Sequence, residues 1–219
     1  MSGIRKAISP HVTVLDQVNV TKLVDHRNRM KQYAADRGIK LTYTAYFIKA
    51  VAAMLVKFPE LNASLDNEKQ EIVYKNYVNV GVATDTEHGL FVPNIKDTNF
   101  KSLFAIAKEL EQNIKLAHEG KLGRDTLTDG SMTITNVGGV ATGGVWATPI
   151  INQPEVAILG FGKFEEMFVP DENKQPVLAP ILKLSFAFDH RIVDGVLAQK
   201  ALNLVKEYLE NPDILLVEG

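Results

Sequence analysis

The stretch SFAFDHRIVDG, Ser185 to Gly195, decides the reading of this chain. Its first half alternates as a strand with one buried face should, with Phe186 and Phe188 on the same side. It then stops at three polar residues, Asp189, His190 and Arg191, and Asp194-Gly195 follow at once, where a helix can start. Polar groups at the end of an apolar strand need partners or water. A histidine in that place is structural, half of a metal pair with Asp194, or a proton acceptor. A metal site needs about three protein ligands. His11, His26, His88 and His118 stand in unrelated contexts, which leaves the metal reading thin. Neutral imidazole can take a proton near physiological pH when an acidic proton comes within reach. Asp194 can cap the following helix, where the dipole favours a carboxylate, and a basic partner could let it hold the histidine loop.

Upstream, SMTITNVGGVATGGVW reads as a strand, Ser131 to Asn136, running into a loop with Gly138, Gly139, Gly143 and Gly144. EVAILGFG is a continuous apolar strand, DENK a turn and APILKLSFAFDH a long strand. The closing VLAQKALNLVKEYLENP is a helix with Leu197, Ala201, Leu204 and Tyr208 on one face. In the first half, HVTVLDQVNV alternates as a strand, and Thr21 is the expected cap of a helix that stops at Gly38. Thr42 or Thr44 opens a second helix, AYFIKAVAAMLVKFP, apolar nearly all round and therefore buried. NASLDNEKQEIVYK is a hairpin turning at Asp66-Asn67. YVNVGVAT and LFVPNI are two more strands, and a helix spans about Ser102 to His118. The pattern predicts one α+β domain, a large mixed sheet flanked by helices.

Composition narrows the function classes. The 219 residues are 46% hydrophobic and 23% charged, with a formal net charge of -2 and no basic block, so a nucleic-acid footprint is not expected. There is no cysteine, which removes disulfides, thiolate ligands and a cysteine nucleophile from this chain. No Gly-x-Ser-x-Gly setting offers a serine nucleophile. MSGIRKAISPHV has no leader-like apolar run and no segment reads as membrane-spanning, so a cytoplasmic protein is expected.

His190 followed by Asp194-Gly195 resembles the signature of the 2-oxo acid dehydrogenase dihydrolipoyl acyltransferase family, shared in shorter form with chloramphenicol acetyltransferase. DTEHGLFVPNIKDTNFKSLFAIAKE, SMTITNVGGVATGGVWATPIINQPEVAILGFGK and AQKALNLVKEYLENPDILLVEG resemble the same catalytic domain in order. The likeness is strongest to the pyruvate dehydrogenase acetyltransferases of Gram-positive bacteria.

The resemblance implies a chloramphenicol acetyltransferase-like fold and acyl transfer between dihydrolipoamide and coenzyme A, most simply of acetyl. It makes His190 the base that deprotonates the thiol, Asp194 its loop partner, and Thr135 the hydroxyl facing the oxyanion where relatives carry serine. Asn136, Gly138 and Gly139 would line the thiol's path; the glycines are equally readable as a plain loop. Without the resemblance, Thr135 is simply a β-branched strand residue. The resemblance also implies trimers with active sites between subunits, assembling into a cubic or icosahedral core, with dehydrogenase components as partners. No cofactor is expected on this domain; coenzyme A is a substrate and the lipoyl group comes on a separate domain. The lipoyl and subunit-binding domains are missing from residues 1–219, and the segment between IRKAI and PHVT is short for the family. Arg5 is a candidate partner for Asp194. The apolar tail DILLVEG, with nothing obvious to cover Ile214 to Val217, reads as a docking segment. The alternatives are an oligomeric scaffold with weak or lost activity, another acyl specificity, or acetyl transfer to a small hydroxyl compound.

Overall fold

The computed structural model describes residues 10–219. Its centre is a six-stranded mixed sheet in the order β1-β10-β9-β8-β4-β7. Strand β1 (His11–Asn19) leads into helix α1 (Thr21–Ala35), then α2 (Tyr43–Lys57). Next come the hairpin of β2 (Ala63–Asp66) and β3 (Glu71–Tyr74), and the short strands β4 (Val80–Val82), β5 (Thr84–Thr86), β6 (Gly89–Phe91) and β7 (Asn94–Ile95). Helices α3 (Leu103–His118) and α4 (Arg124–Leu127) precede β8 (Met132–Asn136) and the two long strands β9 (Ala157–Pro170) and β10 (Pro176–Asp189). Helices α5 (Gly195–Glu210) and α6 (Pro212–Glu218) close the chain.

The alternation read in SFAFDH is the sheet's two faces. Leu182, Leu184, Phe186 and Phe188 join the main core under the helices, whereas Ala187 belongs to a small second cluster with Ile151 and Ile158. Helix α2 is buried over eleven consecutive residues, Ala45 to Leu55, as its all-round apolar sequence requires. Its Phe47 stacks on Phe161 of β9, ring centres 4.1 Å apart.

Three local readings are corrected. Thr21 is the first residue of α1, not its cap; Asn19 Oδ1 accepts from the Thr21 N–H at 3.0 Å instead. The two strands read in YVNVGVAT and LFVPNI each split: β4 and β7 pair in the main sheet, β5 and β6 form a separate ribbon. Pro93, which has no N–H to donate, lies at the break. The apolar tail is covered at one of its four apolar residues. It folds back as α6, burying Leu215 and pairing Glu218 with Lys57 at 2.7 Å, while Ile214, Leu216 and Val217 stay exposed.

Glu155 lies just before β9 and is 3% exposed. Its Oε2 accepts from Thr133 Oγ1 at 2.7 Å and its Oε1 from Asn152 Nδ2 at 3.2 Å. Burial pushes its pKa up, and those bonds and the charge of Lys75 oppose the push only in part. Nearby, Asn94 Oδ1 is buried without a partner among the described residues. A proton held by Glu155 in the fold is released as pH rises, so its contribution to stability is full below the unfolded carboxyl value and declines as pH climbs through the raised folded value. Glu155→Gln keeps an acceptor for Thr133 and cannot ionise. Its melting temperature should gain on the parent's as pH rises above the unfolded carboxyl value and level off once the folded carboxyl has ionised, whereas Glu155→Ala should lose roughly 2–3 kcal/mol at the acid end and less as pH climbs. Thermal unfolding as a function of pH reads both.

Candidate functional site

His190 follows the last residue of β10 and sits on an exposed turn. The turn is fixed by its backbone: His190 N–H donates to Pro10 O at 3.0 Å, and the Ile192 and Val193 N–H groups donate to Asp189 O at 3.1 and 3.0 Å. Val193 is fully buried and pins the far end. The imidazole lies 6.0 Å from the Phe188 ring, centre to centre, and opens to solvent on its other side.

Asp194 caps α5. Its Oδ1 accepts from the Leu197 N–H at 2.8 Å. No ion pair to Asp194 is found among the described residues, and Arg5, its expected partner, lies outside them. A residue missed from the sequence is Asp189. It is buried and paired with Arg191, and only the run of three polar residues at a strand end could have signalled it.

Thr135 is half-buried in β8, and its hydroxyl makes no hydrogen bond among the described residues. The sheet register separates it from His190. Thr135 pairs with Gly160 and Gly160 with Ser185, so Thr135 stands two strands across from β10 and level with a residue five before His190. At about 3.3 Å per residue and 4.8 Å between strands, the two side chains are on the order of 19 Å apart within one chain. Both belong to one rigid sheet, so a single chain does not bring them together.

Asn136, Gly138 and Gly139 do come together. With Tyr43, Phe47 and Phe164 they line an open cleft of about 270 Å³ beside the end of β8. Asn136 Oδ1 accepts from the Gly138 N–H at 2.9 Å, and its Nδ2 reaches Thr44 Oγ1 at 3.4 Å. Gly138 is needed for close approach: a Cβ there would stand 2.6 Å from Gly162 O. Gly139 has open space. Wider hollows of about 440 and 470 Å³ lie against Asn19, Lys22 and Asn211 and against Arg27, Lys31 and Lys40; neither includes His190 or Thr135. No group of three or more His, Asp or Glu side chains placed to hold a metal is found among the described residues. No helix there is long and apolar enough to cross a membrane.

Residues 4–217 match the model of the 2-oxoacid dehydrogenases acyltransferase catalytic domain. The chain belongs to that family. A dihydrolipoyllysine-residue acetyltransferase component of the pyruvate dehydrogenase complex from Bacillus subtilis (strain 168) is 48% identical over 229 aligned residues, covering 100% of this chain and 51% of the relative. The corresponding component from Staphylococcus aureus (strain Mu50) is 44% identical, covering 98% and 49%. This acyltransferase domain therefore spans about half the length of the curated relatives it matches.

Among solved structures, Azotobacter vinelandii dihydrolipoamide acetyltransferase, solved in a study of a serine, a histidine and an asparagine in its catalytic mechanism, superposes with a TM-score of 0.91. It is 34% identical, with 97% of this chain and 87% of that one covered. The cubic core of a pyruvate dehydrogenase multienzyme complex gives the same values. A chloramphenicol acetyltransferase, 14% identical at a TM-score of 0.59, shares the fold.

The glycine contacts give a direct test. Gly138→Ala should lower stability by about 1–3 kcal/mol through overpacking against Gly162, and Gly139→Ala by less than about 0.5 kcal/mol. Denaturant unfolding of the two variants separates a required glycine from a tolerated one.

Proposed function

We propose that this domain transfers an acyl group, acetyl by its likeness to the pyruvate dehydrogenase relatives, between dihydrolipoamide and coenzyme A. The observation that carries this is His190. It is an exposed imidazole on a turn hydrogen-bonded to its own sheet, four residues before the α5 cap, in a chain of the acyltransferase family.

Near pH 7 a free thiol is mostly protonated, so a positioned base gains what binding alone cannot. His190 takes the proton from the coenzyme A sulfur, and the thiolate attacks the carbonyl carbon of the acyl-dihydrolipoyl thioester. The tetrahedral oxyanion accepts a hydrogen bond from Thr135, whose hydroxyl makes no hydrogen bond among the described residues. On collapse the bond from carbon to the lipoyl sulfur breaks, and His190 returns the proton to that sulfur. Thiol and thioester appear on both sides, so the exchange is near thermoneutral and needs neither metal nor covalent enzyme intermediate.

The separation of His190 from Thr135 supports a site built between two subunits, His190 from one and Thr135 from its neighbour. A closed trimer repeats that junction three times, and the cubic core formed by a structural relative supports further assembly. The aromatic cleft at Asn136, Gly138 and Gly139 suits a slender thiol-bearing arm. The lipoyl group arrives on a separate domain, dehydrogenase components are the partners, and the compartment is the cytoplasm. Asp194 keeps the helix start beneath the histidine turn in place; an asparagine there would cap equally well.

His190→Ala should lower turnover at least ~10²-fold while the chain stays folded, and Thr135→Ala roughly 10²-fold, with Thr135→Ser restored to near the parent. Co-expressing the two inactive chains should recover about a quarter of the parent's activity, since random trimers rebuild that share of cross-subunit sites. A transfer assay with free dihydrolipoamide and a panel of acyl-coenzyme A compounds reads all of these. Full activity in His190→Ala would exclude it as the base, and a large particle without activity would make the domain a scaffold. Asp194→Asn should keep both stability and turnover, whereas Asp194→Ala should lose about 1 kcal/mol of stability by thermal unfolding.

A further inference from the structure

The turn that carries His190 is braced by a charge pair that the proposed chemistry does not use. Asp189 ends β10 with its N–H donating to Val156 O at 2.9 Å and its carboxylate buried. Asp189 Oδ1 accepts from the Arg191 N–H at 3.0 Å, which closes an Asx turn around His190. Arg191 then folds back over the same carboxylate. Its Nε donates to Oδ1 and Oδ2 at 3.0 and 3.1 Å, and its Nη2 to Oδ2 at 2.6 Å. The remaining amino group, Nη1, reaches Asn67 Oδ1 at 3.1 Å, in the turn between β2 and β3. The two residues flanking the histidine are thus locked to each other and to a hairpin more than a hundred residues upstream.

The turn alone does not call for this. A side-chain oxygen at position 189 is enough for an Asx turn, and asparagine would supply it without burying a charge. What the carboxylate adds is a planar, two-point grip on a guanidinium, a geometry that fixes direction as well as distance. Arg191 is partly exposed and could hydrate its charge in water, so its recruitment over a buried acid is a matter of placement.

We infer that Asp189 and Arg191 are positioning residues, whose forked pair, anchored through Asn67, holds the His190 turn in the geometry that proton transfer needs. This rests on reading His190 as the base. Misplacing a catalytic group by about an ångström can lower a rate by on the order of 10²-fold. Arg191→Lys keeps the charge and loses the fork, and Asp189→Asn keeps the turn and loses the charge.

The test measures kcat and KM for coenzyme A, particle size and melting temperature for both variants and for His190→Ala. Crystal structures of the parent and Arg191→Lys are solved alongside. Expected is a 10- to 10²-fold fall in kcat with KM within about twofold, unchanged particle size and a His190 ring shifted or spread over rotamers. A kcat within twofold of the parent in both variants overturns the proposal. So does a kcat loss with the ring unmoved, or one that merely follows loss of folded particle. Activity surviving in His190→Ala would instead sink the base assignment, and the ring positions would still decide whether the pair holds the turn.

Discussion

Strand β10 is hydrogen-bonded along both edges, to β1 from Asn19 through His11 and to β9 from Pro170 through Ala157. A strand held on both sides cannot slip by one residue without turning Leu182, Leu184, Phe186 and Phe188 out of the core and Ala187 into it. Register is therefore the constraint on which the site depends. It fixes where the strand ends, hence where the Asp189 turn begins, hence where the imidazole emerges. The one irregularity between β10 and β9, at Leu182 and Leu184, lies well before the site and leaves the last five pairs regular.

The same rigidity is the ground for proposing a site built from two chains. Thr135 and His190 sit on strands of one sheet at heights that pairing dictates, and no side-chain rotation spans the gap. A second sheet, carried by another copy, is the simplest body that can bring a hydroxyl to the histidine. The sheet's second face leaves room for one. Among the described residues the apolar cluster grouped there, Ile151, Ile158 and Ala187, is small, and the segment following β8 exposes Val140, Trp146 and Ile150. Scattered apolar residues are ordinary on a surface, but a run of them over a thin second layer is what a subunit boundary needs.

Much of this was legible in residue order, and for definable reasons. Helix α2 announced its burial because no polar stripe interrupts it, and β10 announced its faces by strict alternation. The helix read from about Ser102 begins one residue later, with Ser102 as its cap, accepting from the Ala105 N–H at 3.2 Å. Short strands were harder. Whether Thr84 pairs within its own ribbon or with the main sheet turns on which distant edge is free, and no local pattern carries that. The tail was legible only in part: besides the neighbouring α5, the helix that buries Leu215 packs on α1 and α2, which are far away in sequence. At the site, His190 and the glycine loop stood out by type and spacing, whereas Thr135 was marked only by the family resemblance. Asp189 and Glu155 did not stand out, because a buried carboxylate is meaningful only through its partners, Arg191 in one case and Thr133 with Asn152 in the other.

Those two buried carboxylates show opposite solutions to the same problem. Taking a charge from water is unfavourable by several kcal/mol unless it is neutralised or tightly paired. Glu155 meets neutral donors and a more distant lysine, and its pKa moves up, toward the uncharged form. Asp189 meets a guanidinium at hydrogen-bonding distance, an attraction that offsets the cost of burying a charge. The difference follows position. Glu155 sits where only a hydrogen-bonded filler is wanted, so a proton suffices. Asp189 sits one residue from His190, and a neutral filler there would hold the Arg191 guanidinium less tightly. The two-point ion pair restrains the turn from both sides of His190 while the imidazole itself stays exposed.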